Sequence, residues 1–168
     1  MDPRIDSYTA ATQWDHRRPR SLVVACSDGR LQVAVDEFLQ HHFGLEHYDR
    51  LYVAGGAGAL AASGIDFLRA SRYRRECAFL LTAHGVEDLI LLFHSPAPDG
   101  PPEATCADYR RKLPNLSAAE IRVRQELDAE EILRVGFGRK ASVRTHVFRC
   151  EVGADGALRF VALSGPAP

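Results

Sequence analysis

Residues 21–30 read SLVVACSDGR: a short apolar run stops at Cys26, and Asp28 and Arg30 follow on alternate positions. A cysteine thiolate is a nucleophile or a metal ligand. A carboxylate two residues on can ligate the same metal or accept a hydrogen bond beside it, and an arginine can grip that carboxylate with two parallel N–H donors. Farther along, DLILLFH ends a second apolar run on His94. A thiolate and an imidazole are two of the usual zinc ligands, and a catalytic zinc keeps one position for water, whose pKa it lowers toward about 7. In such a site Asp28 drawn toward Arg30 leaves a metal position open, and Asp28 released can close it. The same residues also allow thiol chemistry, with Cys26 as nucleophile, its thiolate favoured by Arg30, and His94 as its base.

These groups work together only if the chain brings the ends of its apolar runs to one place. SLVVAC is short, β-branched and apolar on both faces, as buried parallel strands are. LQVAVDEFLQHHF has helical spacing, with Leu31, Val35, Phe38 and Leu39 on one stripe and Gly44 as a stop. RLYVAG is a second strand. GGAGALAASG is a glycine-rich turn opening a small-residue helix that continues through IDFLRASRYRRECAFLLTAHG, in one piece or two. DLILLFH is the third strand, and SPAPDGPPEA, with four prolines, is a loop.

Helical patterns follow from Ala104 to about Leu113 and from Ser117 to about Val135, the second opened by a Ser117–Glu120 capping box. GFGRK is a break. SVRTHVFRCEV and ALRFVAL, joined by GADG, alternate as the two arms of a β-hairpin. Strands alternating with helices predict an α/β fold: a mainly parallel central β-sheet flanked by helices, with the C-terminal hairpin adding an antiparallel edge strand. Chemistry in such sheets collects at the carboxyl ends of the strands. Cys26, the Gly55–Gly58 turn and His94 all fall at such ends. Residues 1–20 are expected to form an N-terminal arm and residues 21–168 a single domain.

The chain has 168 residues, 46% of them apolar and 26% charged, with a net charge of -1. That balance gives no bulk attraction to nucleic acid or to an anionic membrane. No apolar run approaches the roughly 20 residues that span a bilayer. The polar start, MDPRIDSYTAATQWDHRRPR, has no apolar signal core, so the expected location is cytoplasmic. The four cysteines, Cys26, Cys77, Cys106 and Cys150, form no CxxC pair, which favours free thiols or metal ligands over a disulfide framework. Cys77 and Cys150 lie in apolar patterns and read as core. His41, His42 and His47 fit a solvated helix end better than a metal cluster.

CSDGR resembles the Cys-x-Asp-x-Arg motif of the β-class carbonic anhydrases. LYVAGGAGAL resembles that family's second strand and glycine turn, with Ala57-Gly58 at its Ala-Gly core. HGVEDLILLFH resembles the helix end and third strand that lead to its zinc histidine, and VFRCEVGADGALRFVAL its C-terminal hairpin. The resemblance runs from about Ser21 to Leu163 in the family's order. It departs in three places. Ala97 stands where the family has its second zinc cysteine, Gly55 and Gly56 replace polar residues before the Ala-Gly pair, and Ala59 replaces a polar residue after it.

The resemblance implies a β-carbonic-anhydrase-like fold and zinc-dependent, reversible hydration of carbon dioxide to bicarbonate, a carbonate dehydratase (lyase) activity. Cys26 and His94 would be metal ligands, and Asp28 and Arg30 catalytic. Cys106, twelve residues past His94, is a candidate substitute for the missing cysteine, and Asp99 a candidate oxygen ligand. It also implies a homodimer or higher oligomer, with the arm crossing to the neighbour. The alternative is a non-catalytic or metal-poor relative whose pocket takes a small anion or another small molecule, held by Arg30 and the backbone amides at Gly56 and Gly58. A lone glycine run also simply permits tight strand–helix packing.

Overall fold

The computed structural model of the protein describes residues 7–63, 67–137 and 143–164. The elements run in the order β1 (Ser21–Cys26), α1 (Gln32–Phe43), β2 (Asp49–Val53), α2 (Phe67–Ala83), β3 (Asp88–Pro96), α3 (Ala107–Lys112), α4 (Ala118–Val135), β4 (Arg144–Val152) and β5 (Leu158–Ser164), with short 3-10 turns at Gly29–Leu31, Gly56–Leu60 and Pro102–Ala104. The five strands form one sheet in the order β2-β1-β3-β4-β5. β1, β2, β3 and β4 pair in parallel, and β5 returns antiparallel along β4. This is an α/β fold with a mainly parallel sheet and an antiparallel edge strand.

The alternation of side chains along each strand builds a core on both faces of the sheet. Leu22 and Val24 of β1 and Leu89, Leu91 and Phe93 of β3 face one cluster, closed by Cys77 and Leu81 of α2, Tyr109 of α3 and Ile121 and Ile132 of α4. Val23, Ala25, Ile90, Leu92 and Cys150 face the other, closed by Leu31, Val35 and Leu39 of the α1 side. Most of these side chains are fully buried, and each Leu, Ile or Phe so placed contributes about 1.5–3 kcal/mol. Cys26 packs against both clusters because it is the last residue of β1, an interior strand of the sheet.

Local signals set the ends of the elements. α1 stops at Gly44, whose φ of 68° lets Gly44 N and Leu45 N reach back to Gln40 O and Leu39 O. α4 starts on the Ser117–Glu120 capping box, with each residue's side chain taking up the other's backbone N–H. The β4–β5 turn uses Asp155, whose carboxylate accepts from Ala157 N, and Gly156 at φ 78°. No described helix is long and apolar enough to cross a membrane.

Three expectations about elements change. The glycine run opens no α-helix: residues 56–60 form a 3-10 turn, Ala61 is extended, and α2 is described from Phe67, residues 64–66 lying outside the described residues. β3 does not stop at His94 but includes Ser95 and Pro96. The next N–H, of Ala97, donates to Val152 O at 2.9 Å, so the ladder loses nothing to the proline's missing donor. The helix expected from Ala104 is divided, because Thr105 folds back on Pro102 O through both its amide and its hydroxyl, and α3 begins only at Ala107. Residues 1–6 of the expected arm lie outside the described residues, as do residues 138–142 across the GFGRK break and the first residue of the hairpin. The rest of the arm to Arg18 is exposed and carries no helix or strand.

Candidate metal centre

β1 delivers Cys26 to the carboxyl end of the sheet, and the chain turns at once. Asp28 caps the 3-10 turn by accepting from Arg30 N at 3.1 Å. The Arg30 side chain then folds back on the same carboxylate, with Nε 3.0 Å from Oδ1 and Nη2 2.6 Å from Oδ2. This fork holds the Asp28 carboxyl down to about 2. Asp28 is therefore an acceptor-only group under ordinary conditions.

His94 arrives on the neighbouring strand β3, 4% exposed. Its backbone carbonyl accepts from the buried Gln125 amide of α4 at 2.9 Å. Cys106 comes from a third direction, as the N-cap residue of α3. The ligand atoms of Cys26, His94 and Cys106 all lie within 4.8 Å of one another. Donors at zinc bond lengths of about 2.3 Å for sulfur and 2.0 Å for nitrogen stand about 3.7 Å apart in a tetrahedron. Their spacing, at most 4.8 Å, exceeds that by about 1 Å at most. Among the described residues His94 Nε2 is buried with no hydrogen-bond partner, and a buried imidazole nitrogen without a partner is costly unless it meets a ligand. The donor set fits a zinc ion.

The two sulfurs are unlike. The Cys106 thiol beside Cys26 is the main influence lowering the Cys26 pKa, helped by His94 and opposed by burial. Cys106 is pushed up by that same hydrogen bond and by its deeper burial. Without a cation Cys26 is the sulfur that ionises first. A bound divalent ion would deprotonate both. Cys77 and Cys150 are free and buried in the core, and desolvation raises both. Asp99 is exposed on the turn after Ala97 and does not join the three donors.

A cleft of about 250 Å³ opens on this centre, lined by Asp28, Arg30 and His94 and walled by Leu31, Pro101, Ala104, Val152 and Leu158 among others. A smaller one, about 160 Å³, lies on the other flank of the turn and is lined by Cys26, Asp28, Gln32, Arg50 and Tyr52. Gly56 and Gly58 are buried. A β-carbon on Gly56, at φ 55°, would stand 2.6 Å from Leu92 O and 2.7 Å from Cys26 N, and one on Gly58 would overlap the Tyr109 ring. Both glycines serve close packing of the turn against β1, β3 and α3.

The residues that complete the centre without a motif are Asp108, Tyr109 and Gln125. Gln125 and Asp128 carried a signal, since they occupy the α4 stripe of Ile121 and Ile132 at helical spacing and are fully buried. Asp128 accepts from Tyr109 Oη at 2.6 Å, from Ser63 Oγ at 2.8 Å and from Arg124 Nε at 2.7 Å. Asp108 carried none, because a charged residue in a short polar helix reads as solvated.

No protein-family model and no curated protein matches the chain. Among solved structures, similarity is found to the β-carbonic anhydrase CafA of Aspergillus fumigatus (17% identity, 89% of this chain and 78% of that one, TM-score 0.46). It is found also to a carbonic anhydrase of Streptococcus mutans (18%, 89% and 87%, 0.47). A third is β-carbonic anhydrase isoform I of Trichomonas vaginalis (14%, 91% and 88%, 0.48).

Proposed function

We propose that the protein is a β-carbonic-anhydrase-like enzyme that interconverts carbon dioxide and bicarbonate with one zinc ion held by Cys26, His94 and Cys106. The observation that carries this reading is the meeting of those three donors beside the Asp28–Arg30 fork, with His94 Nε2 buried and without a partner among the described residues. When bound, zinc supplies Lewis acidity, which makes a nucleophile available from water near neutral pH. The protein's own residues do the rest. Leu31, Pro101, Ala104, Val152 and Leu158 give the cleft apolar walls suited to a small neutral molecule. Arg30 keeps Asp28 oriented: Oδ1 accepts from both Arg30 N and Nε, which leaves Oδ2, held mainly by Nη2, as the oxygen to orient the attacking water. The Arg30 guanidinium, in the same cleft, offers a cation to the bicarbonate product.

The same reading carries a homodimer in the cytoplasm. The arm of residues 1–20 would pack on the neighbour, which would cover Tyr8 and Trp14, now 84% and 82% exposed. Stopped-flow hydration of carbon dioxide by zinc-loaded protein tests the activity. A rate well above buffer is expected. A rate equal to buffer at one zinc per chain would sink the enzyme reading and favour a site that only binds a small anion.

A further inference from the structure

We propose that the Arg69–Asp108 ion pair is a positioning device for the third ligand: it locks α3 onto the glycine turn and so fixes Cys106 in the metal centre. The inference rests on the ligand set proposed above.

Cys26 and His94 are placed by strands of the central sheet. Cys106 has no such support. It follows a loop with four prolines and caps a helix of six residues, far too short to be stable by itself. Its position has to come from tertiary contacts. The nearest strong one is two residues on, where the Asp108 side chain is 3% exposed. Arg69 of α2 donates to both of its oxygens, at 2.8 and 2.9 Å, and the same guanidinium donates to Ala54 O at the entry to the glycine turn. Arg111 adds a bond at 3.0 Å. Lys112, itself buried, donates to Gly58 O at 2.8 Å. One carboxylate thus ties the start of α3 to α2 and to the turn that lies against Cys26.

The turn is shaped to receive it. A β-carbon on Gly55 would overlap Asp108 Oδ2, and one on Gly58 would overlap the Tyr109 ring. The glycine at 55, where the sequence departs from the pattern it resembles, vacates the volume that Asp108 fills. A buried carboxylate adds little stability over an apolar residue of the same volume, so what Asp108 contributes here is the position it imposes.

Asp108→Asn and Arg69→Met test this with cobalt and zinc. The expected result is zinc affinity about 10–100-fold weaker than in the unsubstituted protein, the range for loss of an outer-sphere partner, with a weakened or shifted sulfur-to-cobalt charge-transfer band. Unchanged affinity and an unchanged cobalt spectrum, whatever happens to the melting temperature, would overturn the proposal. A metal-free arm uses diamide, a diazene that takes two electrons and two protons from a thiol pair, to join Cys26 to Cys106, with the product quantified by mass spectrometry. The joining rate should fall several-fold in both variants, and an equal rate contradicts the clamp. If the unsubstituted protein takes up no zinc, the ligand reading fails by that result, and the diamide arm still judges the clamp.

Discussion

Two regions meet at the candidate metal centre, and they are built in opposite ways. The Cys26–Arg30 turn is local: five consecutive residues supply a thiolate, a carboxylate, its arginine and their own backbone cap. The Cys106–Lys112 segment is assembled at long range. Its residues are held by Arg69 of α2, Gly58 of the turn and Asp128 of α4. A local site keeps its geometry as long as β1 stays in the sheet. A long-range site depends on every element that touches it, and so should be the more easily disturbed by changes far from any ligand.

The largest expected effect belongs to chemistry in the local region. Asp28→Asn keeps an acceptor for Arg30 N and a similar volume but removes the charge proposed to orient the reacting water. Turnover should fall about 100-fold, the lower range for a group that handles protons in the reaction, at unchanged zinc content. Assays of hydration rate and metal content on the same sample check both halves. Loss of zinc along with activity would mean that Asp28 serves the metal instead.

Gly58→Ala strikes the long-range region. Its added methyl meets the buried Tyr109 ring, an overpacking that costs about 1–3 kcal/mol, and displacing α3 should weaken zinc binding as well. Urea unfolding and zinc competition measure the two effects. Gly29→Ala is its counterpart in the local turn, with nothing within 4 Å of the new carbon. It should change stability by no more than about 0.5 kcal/mol and leave zinc affinity alone. Equal losses at the two glycines would erase the contrast between the regions.

Another small effect lies away from both, at the opposite end of the sheet. Asp88 is held below the usual carboxylate range chiefly by Arg144, with His146 also in contact. Because its folded pKa is depressed, this pair stabilises the fold above the unfolded value of about 3.9, and the contribution disappears as pH falls through the lower folded value. Asp88→Asn should cost about 0.5 kcal/mol at pH 7, since Arg144 is largely exposed. The difference should shrink as pH falls below the unfolded value and disappear once Asp88 is protonated in the folded state, as read by urea titrations, while the candidate metal centre at pH 7 is untouched.

The local region was legible from the residues for a physical reason. A strand followed by a five-residue turn fixes where its side chains go, so spacing alone carries the geometry of Cys26, Asp28 and Arg30. The parallel sheet, the capping box at Ser117 and the β4–β5 hairpin were legible on the same ground, each being set by neighbours within a few positions. The sequence could name Cys106 as a candidate only by its residue type and its distance from His94. That the donor atom reaches the other two depends on Thr105 folding back on Pro102, on Tyr109 filling the space over Gly58, and on Asp108 finding Arg69 from a helix 39 residues away. None of these leaves a periodic pattern. Gly55 and Gly56 looked like losses of polar groups, and packing gives them a use: Gly55 admits Asp108, and Gly56 lets the turn lie on the backbone of β1 and β3.

The measurement that bears most directly on the account is zinc content per chain in the native protein and in Cys106→Ser, by inductively coupled plasma mass spectrometry after exhaustive dialysis. The account predicts close to one zinc per chain in the native protein and a small fraction of that in the variant. Full zinc occupancy in Cys106→Ser would contradict it.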